Sequence, residues 1–160
     1  MASKANAYVT LDQIDKLLLN ALQDDASLSV STLADRCGVS APSCYRRIRR
    51  LRKSGVIERE VALLRLPDAQ AQITVAFEVT LERQTRPQQT AFQLKMNKHP
   101  EVRQCYVVAG ETDYLVIAQF KDMAAYETFS TDILSADRNM KKYRSLIASR
   151  CTKFSTKVVL

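Results

Sequence analysis

The chain has 160 residues, 46% hydrophobic and 26% charged, with a net charge of +7. That balance suits a folded globular protein and argues against a disordered one. No apolar run approaches the roughly 20 residues of a membrane span, and the basic surplus suits a polyanionic partner.

The segment Met1–Tyr8 lacks the apolar core of a secretory signal, so a cytoplasmic, nucleoid-associated protein is expected. The first helix is predicted from Thr10 as N-cap, with Gln13 three residues on as in a capping box. Leu11, Ile14, Leu17, Leu18, Ala21 and Leu22 recur at helical spacing, and Asp24 and Asp25 end the run. A second short helix follows Ser29 or Ser31, turns Leu33, Ala34 and Cys37 inward, and stops at Gly38.

Only Gly38-Val39-Ser40 precedes a third helix, which Ser40 can cap and whose first turn accommodates Pro42. Cys44, Ile48 and Leu51 form its apolar stripe; Ser43, Arg46, Arg47 and Arg50 form another face. Residues 46–53 hold six basic groups (Arg46, Arg47, Arg49, Arg50, Arg52, Lys53) and no acid. Residues 1–40 hold three basic groups against five acids. Three helices with a three-residue turn between the last two describe a helix-turn-helix, whose final helix enters the major groove. The basic stripe falls on that helix. Arginine suits the task because its fork grips guanine edges and phosphates alike. Ser43, Arg46 and Arg47 are expected at base edges and Tyr45 at a sugar or phosphate. Arg49, Arg50, Arg52 and Lys53 are expected at phosphates, beside the capping Ser40. After Gly55, Val56-Ile57 and Val61–Leu66 read as short strands, a wing or hinge.

Pro67-Asp68-Ala69-Gln70 marks the boundary between a domain over residues 1–66 and one over 67–160. Residues 73–82 alternate with a period of two, a strand. Thr85-Arg86-Pro87-Gln88 opens a helix running to about Lys98, ended by His99-Pro100. Val102–Ala109 and Tyr114–Phe120 read as a hairpin around Gly110-Glu111-Thr112-Asp113. Asp122 caps a further helix, Tyr143–Lys153 is a fourth strand, and Phe154–Leu160 an extended tail. The order β-α-β-β-α-β is ferredoxin-like, so the fold is α+β: a three-helix, winged-helix-like module and a ferredoxin-like domain.

No catalytic site and no metal or other cofactor is expected. There is one histidine, no Gly-x-Ser-x-Gly and no phosphate-cradling glycine loop. Cys37, Cys44, Cys105 and Cys151 lack the close spacing of a zinc or redox site and read as small, mostly buried apolar residues. A competing reading is an architectural protein that bends DNA with little sequence preference. RNA fits less well, because its deep, narrow major groove does not admit a helix.

These residues resemble the Lrp/AsnC transcription regulators. Leu11-Asp12, Asp15 and Leu18 match the first helix of that family. Leu33-Ala34, Val39-Ser40, Arg47, Leu51 and Gly55-Val56-Ile57 match its helix-turn-helix signature, and Gly110-x-x-Asp113-Tyr114 its effector hairpin. The resemblance implies a regulator of double-stranded DNA that forms homodimers through the second domain and often assembles into tetramers or octamers. It implies an amino acid or related metabolite bound between subunits. Carried over residue by residue, that site includes Gly110 and Asp113, with Ala109, Glu111, Thr112 and Tyr114 beside them. Tyr143 and Ser145 stand where the family often has threonines. Glu58-Arg59-Glu60-Val61 replaces the family's usual Gly-Tyr, and the glycine that commonly precedes the second domain is absent around Asp68–Gln72.

Overall fold

A computed structural model describes residues 10–64, 67 and 72–160. The chain divides into two compact units: residues up to Leu64 together with Lys153–Leu160, and the segment that ends at Thr152.

The first unit is three helices, α1 (Gln13–Asp24), α2 (Val30–Cys37) and α3 (Ala41–Lys53). α1 starts two residues later than the Thr10 capping box predicts. Asp12 is the N-cap: its carboxylate accepts from the Asp15 amide at 2.8 Å, and the Asp15 carboxylate accepts from the Asp12 amide at 3.1 Å. Two amide donors of the first turn are thereby satisfied reciprocally. Ser29 caps α2, its hydroxyl accepting from the Thr32 amide at 3.1 Å. Gly38 ends it at φ 65°, a left-handed conformation that glycine adopts without steric cost. Ser40 holds the N-cap position of α3, with no side-chain capping bond, and Pro42 lies in the first turn. Leu18, Leu33, Ala34, Cys37, Cys44 and Ile48 form the core, flanked by Ile14, Leu22, Val39 and Ile57. Each fully buried leucine or isoleucine there contributes about 1.5–3 kcal/mol.

The expected wing strands do not form among the described residues 56–64. Val61, Leu63 and Leu64 are exposed, and no neighbouring strand pairs with them. β-propensity without a ladder partner does not make a strand. Arg65 and Leu66 lie outside the described residues. The tail at 153–160 forms no helix or strand and lies against α1. The Gln23 amide side chain bonds both backbone groups of Val158, at 3.1 and 2.6 Å, and Lys157 pairs with Asp24.

The second unit is an antiparallel sheet in the order β2-β3-β1-β4, built from β1 (Ile73–Leu81), β2 (Val102–Val107), β3 (Tyr114–Phe120) and β4 (Met140–Ile147). α4 (Arg86–Lys98) connects β1 to β2; α5 (Met123–Phe129) continues as a π-helical turn over Ser130–Ser135 before β4. This is the ferredoxin-like topology. The alternation along β1 and β3 decides which face is covered. Val75, Phe77, Val79 and Leu81 join Tyr114, Val116, Ala118 and Phe120 in one core with Phe92, Met96, Phe129 and Leu134. Phe77 is its centre, with ring centroids 6.2 Å from Phe120 and 5.8 Å from Phe129.

β2 stops at Val107 rather than Ala109, and one further hairpin bond follows it, from the Val108 amide to the Asp113 carbonyl at 3.0 Å. β4 begins three residues before the predicted Tyr143 and ends at Ile147, well short of Lys153. Its ladder partner is β1, and the last pair, Val75 with Ile147, lies two residues from the start of β1. On the other face of the sheet, Ala76 stands between Ile117 and Leu146, and Leu115 between Glu78 and Tyr106. Tyr106 and Leu146 are exposed there.

Candidate nucleic-acid interface and effector hairpin

The apolar stripe of α3 (Cys44, Ile48, Leu51) is buried, so its other faces look outward. Tyr45, Arg46, Arg49, Arg50, Arg52 and Lys53 are exposed and Ser43 is half-buried. Among the described residues, Arg46, Arg49 and Lys53 have no ion pair, while Arg52 pairs with Glu60 at 2.7 Å.

Arg47, expected to reach outward to a base, is instead turned toward the start of α1. Its Nη1 donates to Asp12 at 2.6 Å and to Asp15 at 2.9 Å. Arg50 also donates to Asp15, through Nη2. The Asp15 side chain is completely inaccessible to solvent, whereas Asp12 is 52% exposed. A buried carboxylate is tolerated only when paired and hydrogen-bonded, and two arginines supply this. The Asp15 amide, and then the Arg47 guanidinium, hold the Asp12 carboxyl below its ordinary pKa. Hydrogen bonds to Asp12 and then Asp15 raise that of Arg47. Asp12, Arg46, Arg47 and Arg50 line a cavity of about 240 Å³. The acids were visible in the sequence, but their partners lie 32 and 35 residues away, beyond any local pattern.

In the second unit Ala109, Gly110 and Glu111 are exposed at the hairpin tip, with Thr112 half-buried behind them. A side chain at Gly110 would meet nothing within 4 Å. Its φ of 153°, rather than crowding, is what suits glycine there. Asp113 is tied into the sheet. Its Oδ2 accepts from the Leu81 amide at 2.7 Å and its own amide donates to the Val79 carbonyl at 2.8 Å. The Leu81 amide faces the β3 side of β1, one step beyond the last ladder pair, Val79 with Tyr114. The carboxylate thus satisfies an amide that lies past the end of that ladder.

Tyr114, which the resemblance sets beside the effector and whose aromatic ring suits a core, is a core residue. It is 1% exposed, its ring lies 4.6 Å from that of Phe92, and its hydroxyl accepts from Gln93 at 3.3 Å. Tyr143 is half-buried on the helix-covered face, its hydroxyl 3.0 Å from that of Ser135. Ser145 is half-buried two residues further along β4. Tyr114 and Tyr143 flank Val79 in the register, so the hairpin and β4 meet at one end of the sheet. They are two strand spacings apart, roughly 10 Å.

Among the described residues no three His, Cys, Asp or Glu side chains group to hold a metal ion, and no helix is long and apolar enough to cross a membrane. Cys37 and Cys44 are buried and Cys105 partly so, and burial pushes all three thiols up toward their inert, protonated form. Cys151 departs from the expected burial and is exposed.

A helix-turn-helix with a basic outer face, joined to a ferredoxin-like sheet, defines a DNA-binding regulator with a separate ligand-binding domain. Residues 11–58 match the winged helix-turn-helix DNA-binding family, and residues 74–158 match the Lrp/AsnC ligand binding domain. The leucine-responsive regulatory protein of Rhizobium meliloti is 33% identical over 150 residues, covering 94% of this chain and 96% of that protein. A transcriptional regulator from Neisseria meningitidis, solved as its L-Met complex, superposes with a TM-score of 0.86 at 29% identity. The match covers 94% of this chain and 97% of that one. An AsnC family regulator from Agrobacterium tumefaciens gives 0.86 at 30% identity, over 93% and 97%. The chain belongs to the Lrp/AsnC family of transcription regulators.

Proposed function

We propose that α3 lies in the major groove of duplex DNA, with Ser43 and Arg46 at base edges and Tyr45 at a sugar or phosphate. Arg49, Arg50 and Lys53 hold the backbone, with Arg52 in support. The observation that carries this reading is the exposed Arg46, without an ion pair among the described residues, in the N-terminal half of α3, where recognition helices approach bases. Arg47 is reassigned from base reading to a strut between α3 and α1, because two carboxylates already hold it. The Arg46→Ala variant is expected to bind its operator about 1–3 kcal/mol more weakly, and random duplex more weakly by a clearly smaller margin. Equal weakening on both, measured by fluorescence anisotropy at one salt concentration, overturns base reading; unchanged binding to both overturns the placement of α3.

The effector is an amino acid or related metabolite, held at the end of the sheet where the hairpin tip, Asp113 and β4 meet. The L-Met complex of the Neisseria relative supports this class. Two copies pair through the open face of the sheet around Ala76, Leu115, Ile117 and Leu146, an apolar surface of this unit that no helix covers among the described residues. The protein is non-catalytic and acts on the nucleoid in the cytoplasm. A thermal-shift series with the common amino acids tests the effector: the cognate one raises the melting temperature, since a ligand of the native state stabilises it. No shift with any of them overturns a common amino acid as the effector.

A further inference from the structure

The cavity between α1 and α3 has a charge and donor balance that the strut role of Arg47 does not exhaust. Three guanidinium groups (Arg46, Arg47, Arg50) meet two carboxylates (Asp12, Asp15), which leaves one net positive charge. Arg47 uses only Nη1 on the two acids, and Arg50 only Nη2 on Asp15. Each guanidinium carries five N–H donors, so among the described residues Nε and Nη2 of Arg47, Nε and Nη1 of Arg50, and all of Arg46 stay available. Asp15 lies beneath, buried, and holds two of the three forks in place; Asp12 sits on the rim, half in solvent. A monoanionic oxyanion balances this charge and accepts these donors. The volume of about 240 Å³ leaves ample room for one tetrahedral group.

We propose that this cavity is the seat of one DNA backbone phosphate, that Asp15 is its positioning residue, and that Asp12 tempers its affinity by placing a like charge at the mouth. This rests on the reading that α3 faces duplex DNA and adds a residue that weakens binding by design. Weaker backbone affinity shortens the time spent on non-target DNA, where phosphate contacts are all that hold the protein.

The test uses the full chain and a short mixed-sequence duplex over a salt series. Asp12→Ser keeps a hydroxyl that caps α1 and removes the charge; Asp12→Asn is a second capping variant should the first not fold. The expected result is binding about three- to tenfold tighter at low salt. The slope of log affinity against log salt steepens by up to about 0.9, the amount for one phosphate. Adding Arg47→Ala to Asp12→Ser removes both gains. A folded Asp12→Ser protein that binds no tighter overturns the proposal, as does a gain that survives Arg47→Ala, which would place the effect outside this cavity. Inorganic phosphate at matched ionic strength is expected to compete no better than chloride; stronger competition would make the cavity a free-anion site instead. An inert Asp12→Ser beside a deleterious Arg46→Ala overturns the seat alone, whereas an inert Arg46→Ala overturns the placement of α3 itself.

Discussion

The two units each carry a carboxylate at the place where function is expected, and they use it in opposite ways. Asp15 is buried under α3 and collects two arginines. Asp113 sits at the hairpin and collects backbone amide hydrogen. The first arrangement shapes an electrostatic surface, because ion pairs choose which guanidinium groups face outward and which are held. The second shapes the sheet itself, because the Leu81 amide lies beyond the last β1–β3 pair, Val79 with Tyr114. A carboxylate in a signature motif can therefore act on a ligand, on a neighbouring side chain or on the backbone, and only its hydrogen bonds tell which.

The largest effect expected is in the second unit. Phe77→Ala removes the ring around which four other aromatics pack, and should cost about 3–5 kcal/mol in a denaturant melt. If it costs less than about 1 kcal/mol, the aromatic cluster is not what holds that sheet to its helices.

A sharper division comes from Asp113. Asp113→Ala leaves the buried Leu81 amide without an acceptor and should cost about 1–3 kcal/mol. Asp113→Asn keeps an acceptor oxygen and should melt near the wild type, yet lose the effector-dependent thermal shift. A normal shift in the Asn variant would mean that the aspartate serves the backbone alone.

The smallest effect is in acid. Hydrogen bonds from the Asp15 amide and then Arg47 depress the folded-state pKa of Asp12 below its ordinary 3.8. The stability this gives is therefore complete above that value and is lost as pH falls through the folded pKa. Asp12→Ser should flatten the acid limb of a melting-temperature profile below about pH 4. An acid limb identical to the wild type's would show that this pair adds nothing to stability.

What the sequence determined by itself was local and periodic. The i, i+4, i+7 stripe of Cys44, Ile48 and Leu51 buried α3 as predicted, Gly38 stopped α2, and the period-two alternation at 73–81 set the covered face of β1. These readings hold because backbone geometry alone relates residues a few positions apart. The crossing of α1 and α3 decided which arginines are held, since Asp15 and Arg50 are 35 residues apart and meet only in the packed unit. Sheet pairing decided that β4 starts at Met140, and it left Val61–Leu64 without a strand to join. Propensity proposes an element, but a ladder needs a partner and a buried charge needs a counter-charge, and both come from parts of the chain that only tertiary structure brings together.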